Sequence, residues 1–561
     1  MSIVVFPLVF LELLAIAAIN NSFCNGSTFV GCIESERQAL LRFKQDLKDP
    51  SNRLASWNGD GDCCSWAGVV CDKFTGHVLQ LHLRNPHWKY RDYSGPSYIG
   101  KKLIDYEPWT DDQYDSYKRS LLIDKLELLD LRHNQFFGHL SNQLHQLKGL
   151  HTLRLSNNSI SDPIPFSLGE LWSLQELDIS LNKLNGTQLS EAHFSNVTRL
   201  THFDAFGTSL MFNVSSTWIP PFQLEMLGLH SCHLGPRNFW KSHSQLKVLD
   251  LYNNSIYGHI PNLTDNSPLT TLILSSNNFS GPLPLISSNL TTFDLADNAF
   301  SGSVFHFFYN FLSGELPNCW MKWPQLIALN LGYNNFSGSI PSSIGSLSFL
   351  SSLRLEKNNI SGTIPVSLGN CTSLQVINLE ENEFSGNIPA FIGERLSKLV
   401  ILKLTSNKFQ GILPVELCHL SSLQILDLAN NNMFGKIPTC INNLTTMLQM
   451  DSHPRSNMFY VYNPLGRDTP IVGLVQEDAI VTLKGKLRQF ITTLNLLRIL
   501  NLSTNNFLGE IPIEVTRLGA LQSLNLSHNL FIEKIPESIG AMRSLESFDL
   551  SKNQLSAISS F

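Results

Sequence analysis

Leucine returns along most of this chain in one fixed frame, L-x-x-L-x-L-x-x-N. It is plainest at Leu150-Leu153-Leu155-Asn158, Leu326-Leu329-Leu331-Asn334 and Leu423-Leu426-Leu428-Asn431. The closing asparagines fall at 134, 158, 182, 254, 277, 298, 334, 358, 382, 407, 431, 505, 529 and 553, most steps being 24 residues. Thr208 and Cys232 stand at two further ladder positions and Asn310 at a third whose strand frame is missing, giving 17 coils. A fixed period of this length means stacked units, each burying its apolar face against the next. The L-x-L pair predicts a short strand with both leucines inward and the residue between them toward solvent. Stacking sets these strands side by side in a parallel sheet. The asparagine is predicted to satisfy backbone groups of a buried turn that no sheet partner reaches. A Gly-x-Ile-Pro signature follows, as at Gly338-Ser339-Ile340-Pro341, Gly362-Thr363-Ile364-Pro365 and Gly435-Lys436-Ile437-Pro438. Glycine permits the tight turn there and proline stiffens the return path. The predicted fold is α/β, a right-handed solenoid with a parallel sheet on its concave face.

The period breaks in three places. Residues 84–120 precede the first clear coil; six of the chain's 12 tyrosines lie between Pro86 and Arg119, beside Trp88 and Trp109. Aromatic side chains with few aliphatic neighbours mark contact surfaces more than cores, which makes Tyr90, Tyr93, Tyr106 and Trp109 candidate ligand contacts. The second break separates Asn431 from Asn505 by 74 residues, an island placed at 441–496. Phe459, Tyr460 and Tyr462 are its candidate contacts, and Ala479 to Leu483 reads as a strand. The third lies between Asn298 and Asn310, where Val304-Phe305-His306-Phe307-Phe308 replaces the strand frame. The remaining coils form blocks at 121–440 and 497–561.

Composition narrows the rest. The 561 residues are 43% hydrophobic with a net charge of −6, which excludes disorder and gives no sign of a nucleic-acid partner. Residues 1–20 read as a secretory signal: Ile3 to Ile19 is nearly all apolar and Ala15-Ile16-Ala17 offers a cleavage site, although no basic residue precedes Arg37. Adjacent Cys63 and Cys64 cannot easily bridge each other, so Cys32 is paired with Cys63 and Cys64 with Cys71. Cys418 and Cys440 sit alike in successive coils, open to bonding or to remaining thiols. Sequons stand at Asn25, Asn157, Asn185, Asn196, Asn213, Asn253, Asn262, Asn278, Asn289, Asn335, Asn359, Asn370, Asn443, Asn501 and Asn525. All but Asn25 are expected glycosylation sites. Gly95 to Lys102 approaches a phosphate-binding loop but has lysine where serine or threonine should meet magnesium. His133, His230, His233 and His528 fall singly on repeat turns, where solvated roles are expected. No catalytic set, metal site or cofactor is expected.

The Gly-x-Ile-Pro form resembles the plant-specific leucine-rich repeat. The stretch 32–83 resembles the N-terminal cap of such proteins, through Glu36-Arg37-Gln38-Ala39-Leu40-Leu41, Leu54-Ala55-Ser56-Trp57 and Cys63-Cys64-Ser65-Trp66-Ala67-Gly68-Val69. Trp218-Ile219-Pro220-Pro221-Phe222-Gln223-Leu224 and His233-Leu234-Gly235-Pro236 resemble, more narrowly, receptor-like proteins of the xylanase-elicitor-receptor type. The resemblance covers nearly the whole chain from Cys32. It implies a non-enzymatic, glycosylated ectodomain on the outer side of the plasma membrane that recognises a protein or peptide, a microbial elicitor foremost, in plant defence. It also implies signalling through a partner receptor kinase. A secreted inhibitor of wall-degrading enzymes and a developmental peptide receptor are the alternatives. Residues expected to face solvent on the inner sheet are Arg354, Glu356, Lys357, Glu380 and Glu381, joined by Lys403, Asp427, Asp250 and Tyr252. After the coil at Leu545-Phe548-Leu550-Asn553 no Ile-Pro return, terminal cap or membrane helix follows. The expectation is an incomplete receptor whose membrane anchor is missing, the alternative being a soluble apoplastic variant covered by a partner.

Overall fold

The computed structural model describes residues 31–45, 54–59, 61–84, 125–134, 136–138, 140, 144, 147–161, 163–215, 217–234, 242–260, 268–281, 286–300, 314–449, 458–459, 475–476, 479–483, 486–490 and 497–556. The described chain divides into two compact units, with the boundary between Ile256 and Tyr257.

The first unit begins with the cap helix Glu34–Gln45. Cys32–Cys63 and Cys64–Cys71 are both bonded, the pairing expected, and the alternative with Cys63 on Cys71 does not form. Asp62 arranges the pair: its Oδ1 accepts from the backbone N–H groups of Cys32 and Cys64 at 2.7 and 3.0 Å. Trp57 is buried, stacks on Trp66 at 5.6 Å and donates Nε1–H to the Ala67 carbonyl. The cap strand Val78–His82 pairs antiparallel with Val69–Cys71 and parallel with Leu128–Asp130, so the cap covers the first coil by extending its sheet. Strands 152–154, 176–178, 202–204, 226–228 and 248–250 continue in register.

The second unit repeats this ladder through strands 271–273, 292–294, 328–330, 352–354, 376–378, 401–403, 425–427, 499–501, 523–525 and 547–549. The inward leucines on these strands, Leu329, Leu353 and Leu426 among them, are at most 1% exposed. The ladder steps directly from Asn298 to Asn334: the Asn334 amide donates to the Leu295 carbonyl, and the Phe300 N–H donates to the Asn334 Oδ1. Asn310 lies outside the described residues, and among the described residues the ladder has 16 rungs, one fewer than the 17 expected. Across the island the step is equally direct, Asn505 donating to Leu428. Residues 439–443 and 445–448 still form helical turns of the coil's return arm. Within the island Ala479–Leu483 is a strand as expected, paired antiparallel with Lys486–Phe490.

One feature escaped the sequence. Just after the ladder asparagine a second short strand forms, such as Asn359–Gly362, Glu383–Asn387, Lys408–Gly411 and Asn432–Gly435. These strands pair in parallel from coil to coil. The signature glycine stands at or next to the end of each one at positive φ, 81° at Gly362 and 88° at Gly435, where a Cβ would be strained. The proline then caps a 3₁₀ turn, as Pro365 does for Val366–Asn370. Phenylalanines two residues past the asparagines stack between coils, Phe384 on Phe409 and Phe507 on Phe531 at 6.2 and 6.5 Å, forming a second core column. Cys418 and Cys440 are bonded and tie two successive return arms. Cys232 and Cys371 are buried thiols as expected, whereas Cys319 is only half-buried because it opens its helical turn as N-cap.

The residue before each ladder asparagine takes left-handed φ, near 54° at Asn157, Asn430 and Lys357. Asparagine tolerates this region; at Leu181 a leucine occupies it with φ of 50°. Replacing Leu181 with Asn is expected to stabilise the first unit by about 1 kcal/mol in urea unfolding. No gain would mean that the leucine side chain repays its backbone strain through packing.

Candidate ligand-binding face

The inner strands present two columns of side chains. The first comes from the last residue of each strand: Asp130, Arg154, Asp178, Asp204, Gly228 and Asp250 in the first unit, Ile273, Asp294, Asn330, Arg354, Asn378, Lys403 and Asp427 in the second. Where it is Asp or Asn, its Oδ1 accepts the backbone N–H two residues on, as Asp178 does from Ser180, Asp204 from Phe206 and Asp427 from Ala429, at 3.2, 3.0 and 3.2 Å. This bond closes the turn leaving each strand, which accounts for acidic and amide residues there without any ligand.

The second column is formed by the residues two further on. In the second unit it joins the first in a self-paired charged grid. Arg354 Nη2 lies 2.7 Å from Glu356 Oε1, Lys403 pairs with Glu380, and Lys357 Nζ lies 3.2 Å from Glu381 and 4.8 Å from the Tyr333 ring centroid. Gly332 leaves the space that the Glu356 carboxylate fills; a Cβ there would come within 2.9 Å of Glu356 Cδ. The expected exposed stripe needs correction. Glu356 and Lys403 are 1% and 2% exposed, and Asp250 and Asp427 are also buried. Each is turned onto a partner in its own or the adjacent rung, an ion pair for the first two and the strand-exit N–H for the aspartates. Lys357 and Glu381 remain open, with Arg354 and Glu380 at the edge. Burial raises the Glu380 carboxyl above its ordinary range, with Lys403 pulling the other way.

In the first unit the second column turns aromatic. Phe206, His230 and Tyr252 occupy equivalent places in three successive coils, His230 lying 4.4 Å from Phe206 and 4.2 Å from Tyr252 between ring centroids. All three are half-buried. His230 is thus part of a stack, and burial lowers its imidazole to about 4, so it is neutral at physiological pH. Beside the stack Asp204 faces Gly228 on the next strand, and Gly228 faces Asp250 on the one after. Burial pushes the Asp204 carboxyl well above its usual range, and the charges of Asp178 and Asp250 push it further. Toward the cap the face is basic but compensated: Arg132 pairs with Asp130, and Arg154 with Glu176, both at 2.6 Å. The aromatic row was missed because Phe206, His230 and Tyr252 are 24 and 22 residues apart. Aligning the repeats column by column exposes it.

Tyr90, Tyr93, Tyr106, Trp109, Tyr460 and Tyr462 lie outside the described residues, as do Asn25, Asn262 and the Gly95–Lys102 near-motif; Phe459 is described only as strand backbone paired with Val475. Asn185, Asn196, Asn213, Asn253, Asn278, Asn289, Asn335, Asn359, Asn370 and Asn443 are exposed, and Asn157 is half-buried. Asn501 and Asn525 end inner strands and accept from Ser503 and Ser527. Among the described residues the one thiol-rich grouping, Cys32, Cys63, Cys64 and Cys71, is taken up by two disulfides. No helix among them is long and apolar enough to cross a membrane.

Cap, ladder and second sheet define a leucine-rich-repeat protein. Residues 33–72 match the leucine-rich-repeat N-terminal domain, and residues 149–171, 245–266, 268–290, 325–347, 349–371, 372–433 and 494–555 match leucine-rich repeats. The curated proteins it resembles are plant receptor-like proteins. It is 38% identical to Receptor-like protein EIX1 of Solanum lycopersicum over 53% of this chain and 27% of that one. It is 37% identical to Receptor-like protein EIX2 of the same plant over 25% and 18%. The matched stretches thus span under a third of those relatives' lengths. Among solved structures it is similar to the ectodomain of the Arabidopsis thaliana membrane receptor kinase GASSHO1/SCHENGEN3 in complex with CASPARIAN STRIP INTEGRITY FACTOR 2. That match has 28% identity and a TM-score of 0.54 over 77% of this chain and 51% of that one.

Proposed function

We propose that this chain is the ligand-recognising ectodomain of a plant cell-surface receptor-like protein. Its ligand is a protein or peptide, a microbial elicitor foremost, and its signal passes through a partner receptor kinase. One observation carries the reading: the inner strands hold an open, in-register row of half-buried aromatic rings, Phe206, His230 and Tyr252, beside aspartates at strand ends. Rigid rings in register suit an extended peptide segment, to which they offer anchoring contact area. The similarity to receptor-like proteins and to a receptor-kinase ectodomain in complex with CASPARIAN STRIP INTEGRITY FACTOR 2 supports the same reading. The Phe459, Tyr460 and Tyr462 stretch of the island is proposed as a second contact.

The test is binding of the purified, secreted chain to fractionated apoplastic proteins of a microbe and to host peptides. A microbial ligand supports defence; a host peptide alone moves the chain to development. Inhibition of a wall-degrading enzyme by the chain moves it to the third class. Replacing Phe206 and Tyr252 together with Ala is expected to weaken binding by about tenfold or more. Unchanged affinity in a folded double variant sinks the inner-face reading.

A further inference from the structure

The Trp218–Leu224 segment plays no part in the inner face. It lies among the return arms of the first unit, where Trp218 is half-buried with its ring 5.9 Å from Phe194 and 6.4 Å from Phe222. Its neighbour Ile219 is 74% exposed, an unusual position for a large aliphatic side chain. Glu191, Phe194, Ser195, Trp218, Ile219 and Pro221 line an open cleft of about 420 Å³. A second hollow of about 340 Å³, which shares Pro221, is lined by Thr198, Arg199 and Phe222. Asn196 lies in sequence between Ser195 of the first lining and Thr198 of the second, and it heads the sequon Asn196-Val197-Thr198. It is exposed, and its backbone N–H is anchored to the Gly169 carbonyl at 3.0 Å, which fixes where its side chain leaves the surface.

We propose that the Trp218 cleft is the seat of the first N-acetylglucosamine of a glycan on Asn196. The sugar ring has an apolar C–H face and an acetamide methyl, suited to the Trp218 and Ile219 surface. Its hydroxyls and amide N–H need polar partners at the rim. Ser195 offers a hydroxyl, and the Glu191 carboxylate is held in place by the Ser215 N–H at 2.7 Å on Oε1. The cleft is the size of a small-ligand site with few polar groups. Covalent attachment one residue from Ser195 gives this sugar a far higher effective concentration at the cleft than any free saccharide. The glycan thereby covers apolar surface that is otherwise left to water, and keeps this face of the solenoid from sticking to others.

The inference rests on passage through the secretory pathway, part of the proposed function, and the experiment separates the two. The secreted chain is trimmed in its folded state in two ways: with an endoglycosidase that leaves one N-acetylglucosamine per site, and with an amidase that removes the glycan whole. Hydroxyl-radical labelling then reads side-chain access by peptide mass spectrometry. Trp218 and Ile219 are expected to stay protected in the first sample and to be labelled several-fold more in the second. Buried Trp320, in the other unit, reports any loss of fold. Asn196→Gln is expected to expose Trp218 in the same way and Asn213→Gln to leave it covered. Equal labelling of Trp218 in both trimmed samples overturns the proposal, as does exposure by Asn213→Gln in place of Asn196→Gln. Intact glycopeptides settle the dependence: sugars at other sequons but none at Asn196 defeat the cleft assignment alone, whereas bare sequons throughout defeat the secretory reading.

Discussion

Replacing Asn358 with Ala is expected to lower the stability of the second unit by about 4 kcal/mol, read as an earlier urea midpoint. The Asn358 side chain makes four hydrogen bonds. Its amide N–H groups donate to the carbonyls of Leu331, Leu355 and Glu356 at 3.0, 3.1 and 3.2 Å, and its Oδ1 accepts from the Phe336 N–H at 2.9 Å. The three carbonyls keep other donors: Asn334 also serves Leu331, Asn382 also serves Leu355, and the Tyr333 N–H also serves Glu356. The Phe336 N–H has no such reserve and lies beside a fully buried ring. One orphaned buried donor costs roughly 1–3 kcal/mol, and three lost bonds add roughly 0.5–1 each. Asn359, the next residue, is exposed, and Asn359→Ala is the control, expected to change little. Amide exchange localises the damage: the Phe336 and Leu355 amides should open first, because each coil leans on its neighbours. A midpoint shift no larger than that of Asn359→Ala would show that the ladder bonds are not what holds the coils together.

The first unit shows what the ladder tolerates. Thr208 keeps a single donor, its hydroxyl on the Ala205 carbonyl at 2.6 Å, and Cys232 reaches the same carbonyl only at 3.6 Å. The sequence revealed these two places because period alone locates a rung, whatever residue fills it. The same logic counted a rung at Asn310 although the apolar strand frame is missing there, and the described ladder passes from Asn298 straight to Asn334. Outside the period, local chemistry made the cap cysteines readable and a β-branched run the Ala479–Leu483 strand. The second sheet was not readable: strands of two to five residues such as Asn359–Gly362 are too short to show alternation and exist only because the next coil pairs with them. The inner-face charges failed for a related reason. Glu356 and Lys403 are polar in sequence, but register sets each against a partner and buries both. Burial of a charge is a property of neighbouring coils, and no single repeat encodes it.

Asp294 is a rung where that burial is costly, and replacing it with Asn is expected to stabilise the protein by about 3 kcal/mol at neutral pH. Its strand lies between 271–273 and 328–330, which sets Ile273 on one side and Asn330 on the other. Burial raises its carboxyl from 3.8 to about 6, against smaller opposing effects from the Ala296 N–H, Arg354, Ser275 and Asn330. The folded state therefore holds this proton more tightly than the unfolded chain does. Its contribution to stability is complete below pH 4, declines as pH rises through about 6, and is gone above. At neutral pH the folded protein carries a half-buried charge in this rung. Asparagine removes the charge and keeps the one bond that matters. Asn330, Asn378, Asn501 and Asn525 already fill the equivalent place, each accepting the N–H two residues on at 3.0–3.3 Å. Asp178, Asp204 and Glu380 are also raised by burial, so the parent protein has a steep pH profile of its own. The difference between parent and variant isolates Asp294. Urea unfolding at pH 4, 5, 6 and 7.5 should show the two nearly equal at the lowest pH and the variant progressively ahead above it. A difference independent of pH would place the effect in packing and leave Asp294 without the weakened acidity that its buried rung demands.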